Sequence, residues 1–385
     1  MQERVFKRRG TSWSYVVGVG DDPTTGKRKQ QTRGGFATKQ DAEAALREVL
    51  RSVERGTFVA RTAVTLGDFL DEWLENNRVR LRETTWFSYK VAVNRIKRLL
   101  GAVRLQALTP LQIESAYAKL LATGGQRGAA LAPKTVRNCH IVLHRALSDA
   151  ERLGLVNRNA AHAARAPPNT RTEMATWTAD ELGRFLDFVK DDRLSAAYVL
   201  LATTGMRRGE VLGLRWSDVD LDGRRLSVSQ TLTTINDDVF LGPTKTDRSR
   251  RNVALDLATV AALRTHKAPQ ASERLALGDL WVPSYNLVFC KEDGTPLHPD
   301  RFTAAFKRHV RDAGLPTLRG PHSLRHTWAT LALKAGVHPK VVSDRLGHST
   351  IAVTIDTYSH VAPSLDSSAA DTAAAQIFGP TPMGS

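Results

Sequence analysis

Apolar residues change their spacing along this chain, and each change marks a new element. Trp13, Tyr15, Val17 and Val19 fall at every second position, the period of a strand with one buried face. Asp21-Asp22-Pro23-Thr24-Thr25-Gly26 has turn composition, and a polar, basic second strand is predicted from Lys27 to Thr32. Thr38 can cap a helix with Asp41 at its third position, and Ala42, Ala45, Leu46 and Leu50 give that helix an apolar stripe. From Thr65 to about Ala163 the spacing is helical throughout. Thr65 caps a helix carrying Phe69, Leu70, Trp73 and Leu74. A second helix carries Tyr89, Val93, Ile96 and Leu100, with Gly101 at its end. Thr109-Pro110-Leu111-Gln112 supplies a cap, a first-turn proline and a glutamine placed for a capping box. A fourth helix, from about Lys134 to Leu153 and stopped by Gly154, presents Val136, Leu143 and Leu147.

The stretch from Ala164 to Met174 breaks this pattern. Pro167-Pro168 cannot continue a helix and little apolar character surrounds it, so a linker is predicted. Beyond it, Thr178-Ala179-Asp180-Glu181 reads as a capping box ahead of Leu182, Leu186 and Val189. Another helix ends near Thr204-Gly205. Arg225 to Leu232 alternates as one strand, with Val239–Leu241 and Asn252–Leu255 as neighbours in one small antiparallel sheet. Phe302, Phe306 and Val310 mark a helix stopped at Gly314-Leu315-Pro316, and His322 opens another that carries Trp328 and Leu331. From Ser364 the chain is rich in Ala and Ser around Ile377-Phe378, either a frayed tail or a short element that docks on a neighbour.

The length of 385 residues suggests two or three domains. The formal net charge of +16 points to a polyanion, nucleic acid first and an anionic membrane surface second. No apolar run is long enough to span a bilayer and the basic start carries no apolar signal region, so a cytoplasmic protein is expected. Two isolated cysteines, Cys139 and Cys290, supply neither a disulfide framework nor a cysteine-rich zinc site.

The chemistry-bearing motifs lie in the second half. Thr204-Gly205-Met206-Arg207-Arg208-Gly209-Glu210 comes first, then Thr244-Lys245-Thr246 before a basic strand. His322-Ser323-Leu324-Arg325 follows, its His and Arg three apart on one helical face. Leu346-Gly347-His348 and Thr357-Tyr358-Ser359-His360 complete the series. Each piece alone has a plainer reading: a core histidine, a surface ion pair, a packed tyrosine. His322 and His326 are four apart, but Ser323 stands where a helical zinc-protease motif has Glu. Arg, Lys, His-x-x-Arg, His and Tyr in this order resemble the tyrosine recombinase family, the lambda-integrase-like enzymes.

That resemblance implies a multidomain chain, mainly α with small antiparallel sheets. Residues 1–62 would be an α+β arm-type DNA-binding domain, followed past Gly56-Thr57-Phe58 by a helical core-binding domain over 63–166. A mixed α/β catalytic domain with a C-terminal tail would occupy 174–385. The implied activity is site-specific DNA cleavage and rejoining through a 3′-phosphotyrosine, integrating or excising a phage or mobile element. Tyr358 would be the nucleophile, Lys245 the proton donor to the leaving 5′-oxygen, and Arg207 and Arg325 the clamp on the phosphate. His322 and His348 would donate to the same phosphate, and Glu210 would orient a catalytic side chain. Tyr285 and Tyr198 are the next candidate nucleophiles. Lys90, Arg95, Lys134 and Arg137 are candidate DNA contacts in the helical domain, although solvated charges on an ordinary bundle read the same way. No metal and no other cofactor are implied. The implied partners are core and arm attachment sites on double-stranded DNA, three further protomers in a homotetramer, and a DNA-bending or directionality factor, without a membrane. Expected surroundings are a bacterial cytoplasm and nucleoid. Two other readings remain: a regulator of the same fold that has lost catalysis, and topoisomerase IB-like strand relaxation.

Overall fold

The computed structural model describes residues 5–9, 11–21, 28–55, 58–168, 174–244, 250–348, 350–358 and 377. The chain divides into two compact units, Met1–Arg171 and Thr172–Ser385. In the first, strands β1 (Val5–Arg9), β2 (Ser12–Asp21) and β3 (Arg28–Phe36) form an antiparallel sheet with β2 central. Phe6 pairs with Tyr15, and Val17 with Gln31. Helix α1 (Lys39–Glu54) starts at a capping box between Thr38 and Asp41 and lays Ala42, Leu46 and Leu50 on Tyr15 and Val17. The predicted turn and Lys27 lie mostly outside the described residues. β3 runs past the predicted end at Thr32 to Phe36, because pairing with β2 resumes at Trp13–Phe36 after a register shift that takes up Gly34 and Gly35. Spacing did not announce β1: only Val5 and Phe6 in it are apolar, and an edge strand needs just one apolar face.

The helical part of this unit comprises α2 (Leu66–Asn76), α3 (Glu83–Leu100), α4 (Pro110–Thr123), α5 (Pro133–Arg152) and the single turn α6 (Ala160–Ala163). Capping boxes at Thr65/Asp68 and Thr109/Gln112 start α2 and α4. Leu66, Leu70, Val93, Ile113, Val136 and Leu143 close one core. Trp73 packs its ring on Tyr89 and donates its indole N–H to Asp149 at 2.8 Å, so one side chain joins three helices.

In the second unit, Trp177 precedes α7 (Ala179–Phe188), which is followed by α8 (Ser195–Thr204) and α9 (Arg208–Leu212). The core is aromatic: Tyr198 stacks on Phe302 with centroids 5.1 Å apart, and Phe185 meets Phe306 edge-on at 5.3 Å. The one sheet expected from alternation is two. β4 (Val219–Asp220), β5 (Arg225–Val228) and β8 (Arg251–Ala254) form the first; β6 (Gln230–Ile235) and β7 (Asp238–Pro243) form the second. The strand read from Arg225 to Leu232 breaks at Ser229, whose hydroxyl donates to Asp218, and the chain changes pairing partner there. The remaining elements are α10 (Leu257–Leu277), α11 (Pro299–Asp312), α12 (His322–Lys334), α13 (Pro339–Leu346) and α14 (Ile351–Tyr358). Among the described residues no helix is long and apolar enough to cross a membrane.

α8 ends at Gly205, whose φ of +66° is the left-handed region. A Cβ there would lie 2.7 Å from Leu346 Cδ2 and 2.8 Å from Trp328 Cε3. Gly205→Ala therefore combines left-handed strain with overpacking and should destabilise the fold by about 2 to 5 kcal/mol. Denaturant unfolding followed by tryptophan fluorescence checks this; an unchanged midpoint would show that Trp328 and Leu346 move aside freely.

Candidate active site

Helix α8 is apolar all round, so its end is held deep in the unit. After Gly205 and the buried Met206, Arg207 caps α9. Glu210 reaches back to this cap: Oε2 accepts the Arg207 backbone N–H at 2.9 Å and Oε1 accepts Nη1 at 2.7 Å. Glu210 is 3% exposed, while Arg207 remains 37% exposed. The acid sits behind and the guanidinium faces outward. Arg208 turns away to α11, donating to Thr303 Oγ1 at 2.6 Å and to the Pro299 carbonyl. The two adjacent arginines thus have separate partners, Arg207 with Glu210 and Gly347 and Arg208 with α11.

Arg325 lies one turn into α12 and is 2% exposed. Nη1 donates to Gly205 O and Nη2 to Leu346 O, both at 2.7 Å. These carbonyls terminate α8 and α13, where the helix dipole presents partial negative charge. Arg207 Nη2 reaches the next carbonyl, Gly347 O, at 3.2 Å. Both arginines thus converge on the turn before His348. The His348 N–H donates to Ser343 O, and Nδ1 lies 2.7 Å from Thr354 Oγ1, a buried hydroxyl on α14. Tyr358 ends α14 one turn further on. His322, first residue of α12, sets its ring edge-on to His326 at 5.0 Å.

The electrostatics follow from crowding of positive charge. Burial lowers the His348 pKa to about 4, with Arg325 and Arg207 adding to the effect. His322 is exposed on its outer side and walled on the other; desolvation there, then His326, Arg325 and Arg207, bring it down to about 4, against a small opposing pull from Glu210. Burial pushes Glu210 up, but its bonds to Arg251 and the nearby Arg207 outweigh this and hold it below the usual carboxylate range. At neutral pH the cluster is two neutral imidazoles, guanidinium cations and one buried carboxylate. A phosphate diester is the complementary charge.

Sequence from 176 to 364 matches the phage integrase family, residues 5–53 an arm DNA-binding domain, and residues 65–121 a phage integrase N-terminal SAM-like domain. A tyrosine recombinase XerC-like protein of Caldanaerobacter subterraneus subsp. tengcongensis is 30% identical over 355 residues, 87% of this chain and 89% of that one. The chain belongs to the phage integrase family of tyrosine recombinases. An integrase of Streptomyces ambofaciens is likewise 30% identical, over 90% of this chain and 88% of its own. Solved structures share the fold. The Tn1549 transposon integrase in complex with transposon right end DNA has a TM-score of 0.67 at 21% identity, covering 80% of this chain and 99% of that one. A lambda integrase dimer bound to a COC′ core site has a TM-score of 0.55 at 18% identity, covering 92% and 94%.

The recombinase brings Arg207, Glu210, His322, Arg325 and His348 together, with Tyr358 on the helix that His348 contacts. Lys245 lies outside the described residues, between β7 and β8, and of Tyr358 only the main chain is described. Tyr198 is 0% exposed and burial raises its phenol further from ionisation, which removes it as a candidate nucleophile. In the helical part, Lys90 and Lys134 are exposed, Lys90 over the Trp86 ring. Arg137 is half-buried and donates to Pro167 O, and Arg95 is half-buried against the Cys139 thiol. Sequence reasoning passed over Arg251, Thr354 and Arg78, which lies over Trp86 at 4.6 Å. The only signal for Arg251 was the basic start of its strand.

The lowered histidine values carry a pH consequence. Between about 6.5, the ordinary value, and about 4, the unfolded chain binds protons that folded His322 and His348 do not. Stability is therefore full above this window and falls as pH drops through it, with His326 and Glu210 acting in the same direction. Melting temperatures across this range should show that decline, and His322→Gln/His348→Gln should make it shallower. An unchanged slope in the double variant would locate the acid sensitivity elsewhere.

Proposed function

We propose that this recombinase cleaves and rejoins duplex DNA through a 3′-phosphotyrosine on Tyr358, integrating or excising a phage or mobile element. The observation that carries this reading is the convergence of Arg207, Arg325 and His348 on the turn 346–348, which leads into the helix ending at Tyr358. In-line attack on a phosphodiester concentrates negative charge on the non-bridging oxygens, and fixed cationic donors aimed at them are the largest catalytic contribution. Arg325 is fixed by two carbonyls and Arg207 by a buried carboxylate, so neither needs to reorganise during the reaction. His348 held from Thr354 donates through Nε2 when its proton sits there. Neutral His322 can accept the phenol proton, which leaves only at a pKa near ~10 without help. Lys245 protonates the departing 5′-oxygen. The phosphotyrosine conserves the diester's energy, and a second 5′-hydroxyl attacks it to rejoin strands.

The remaining assignments follow from the same reading. The helical bundle, through Lys90 and Lys134 with Arg95 and Arg137 behind them, grips the core site. The basic three-stranded sheet contacts separate arm sites. Four protomers synapse two duplexes, the stoichiometry of the lambda integrase tetramer bound to a Holliday junction. The tail beyond Ser364, described only at Ile377, docks on a neighbouring protomer. A DNA-bending or directionality factor biases the direction, and the reaction takes place on the bacterial nucleoid.

Trapping on a nicked attachment-site duplex tests the chemistry. Wild type should form a covalent adduct, and Tyr358→Phe should form none while keeping duplex affinity, because the ring retains its packing volume. Lys245→Ala should slow cleavage by about 10²- to 10⁴-fold. A 5′-bridging phosphorothiolate, whose leaving group needs no proton, should rescue Lys245→Ala and leave Arg207→Ala and Arg325→Ala slow. An adduct in Tyr358→Phe would move the nucleophile, with exposed Tyr285 next. Rescue of the arginine variants alone would reverse the assignment of acid and clamp.

A further inference from the structure

One buried cation in the catalytic unit is unused by the mechanism above. Arg251 opens β8, and its side chain is 7% exposed. Nη2 donates to Glu210 Oε2 at 2.9 Å and Nη1 to Oε1 at 3.3 Å. Nε donates to Arg345 O at 2.6 Å. The two Glu210 oxygens therefore accept from Arg251 on one side and from the Arg207 side chain and backbone on the other. The connection to α13 closes on itself. Arg345 donates back to Ala254 O, the last residue of β8, at 3.0 Å, and to Thr203 O near the end of α8 at 3.2 Å.

We infer that Arg251 is a positioning residue for strand cleavage: it orients the Glu210 carboxylate so that Glu210 fixes Arg207. Arg251 sits behind the carboxylate, with Arg207 in front, so it acts on the phosphate through Arg207. Among the described residues three groups face Glu210: Arg207 from its own cap, Arg251 from β8 and His322 from α12. Removing Arg251 leaves a buried carboxyl with one guanidinium, and burial then favours its neutral form. A neutral Glu210 keeps a hydrogen bond to Arg207 and loses the ionic hold on its plane. The strand that follows Lys245 thus carries a second contribution to the same site.

This inference rests on the reading of Arg207 as a phosphate clamp, and single-turnover cleavage of a nicked attachment-site duplex separates the two. Arg251→Gln should cleave about 10²-fold more slowly under mildly acid conditions, the cost of a misplaced catalytic group. Its rate should recover as pH rises and Glu210 ionises, an acid limb absent from wild type. Adding Glu210→Gln should remove that limb. Arg251→Lys keeps the charge without the fork, so it should be slow with a wild-type pH profile and unchanged duplex affinity. In an Arg207→Ala background Arg251→Lys should add no further loss, a result available even if Arg251→Gln does not fold. A wild-type rate in Arg251→Gln, a loss by the same factor at every pH, or additive losses with Arg207→Ala would overturn the inference. Absence of any adduct with wild type would overturn the phosphotyrosine reading itself, and this inference with it.

Discussion

The catalytic unit depends on one buried guanidinium that joins two helix ends. Arg325 donates to the terminal carbonyls of α8 and α13, groups that have no partner within their own helices. Both helices stop at left-handed glycines, Gly205 and Gly347, which turn the chain toward Arg207 on one side and His348 on the other. The same contact satisfies two buried acceptors, neutralises two dipole ends and sets the spacing of the segments bearing Arg207 and His348. Truncating such a cation leaves those carbonyls buried without partners, which costs more than the bond itself contributes.

Positive charge packed this closely is unfavourable in the free protein, and the structure shows how it is tolerated. Arg207 and Arg251 share a buried carboxylate, and both histidines are held neutral. The cluster keeps positive charge at the surface through Arg207, which is 37% exposed. Arg345 is held mainly by neutral partners: it uses carbonyls of two elements and the face of Trp328 at 5.3 Å, with Asp256 nearby.

Charge elsewhere has a different character. In the helical part of the first unit, Arg145 donates to Tyr89 and lies over its ring, and Arg78 and Lys90 lie over Trp86. These cations rest on aromatic faces while their heads stay near solvent. Such an arrangement restricts the rotamers of long side chains before they meet any partner.

Several features were legible in the residues alone, because their causes are local. Thr38, Thr65, Thr109 and Thr178 each start a helix through a box that spans four consecutive positions. The apolar stripes of α2, α3 and α5 repeat with the helical period, and the order Arg, Lys, His-x-x-Arg, His, Tyr is written in the chain. Tertiary structure decided the rest. Arg325 bonds a carbonyl 120 positions away, and every residue offers a carbonyl, so no side chain marks which one is used. Arg251 looked like one more basic residue on a strand until β8 was placed beside Glu210. The strand read across Ser229 kept its alternation while changing partners, since alternation records which face is buried and not which strand lies alongside. Tyr198 was as eligible a nucleophile in sequence as any other tyrosine, and only packing buries it against Phe302 and Phe306. Local chemistry is carried by neighbours in sequence; which donors meet, and which remain buried, depends on distances between segments that the chain order does not contain.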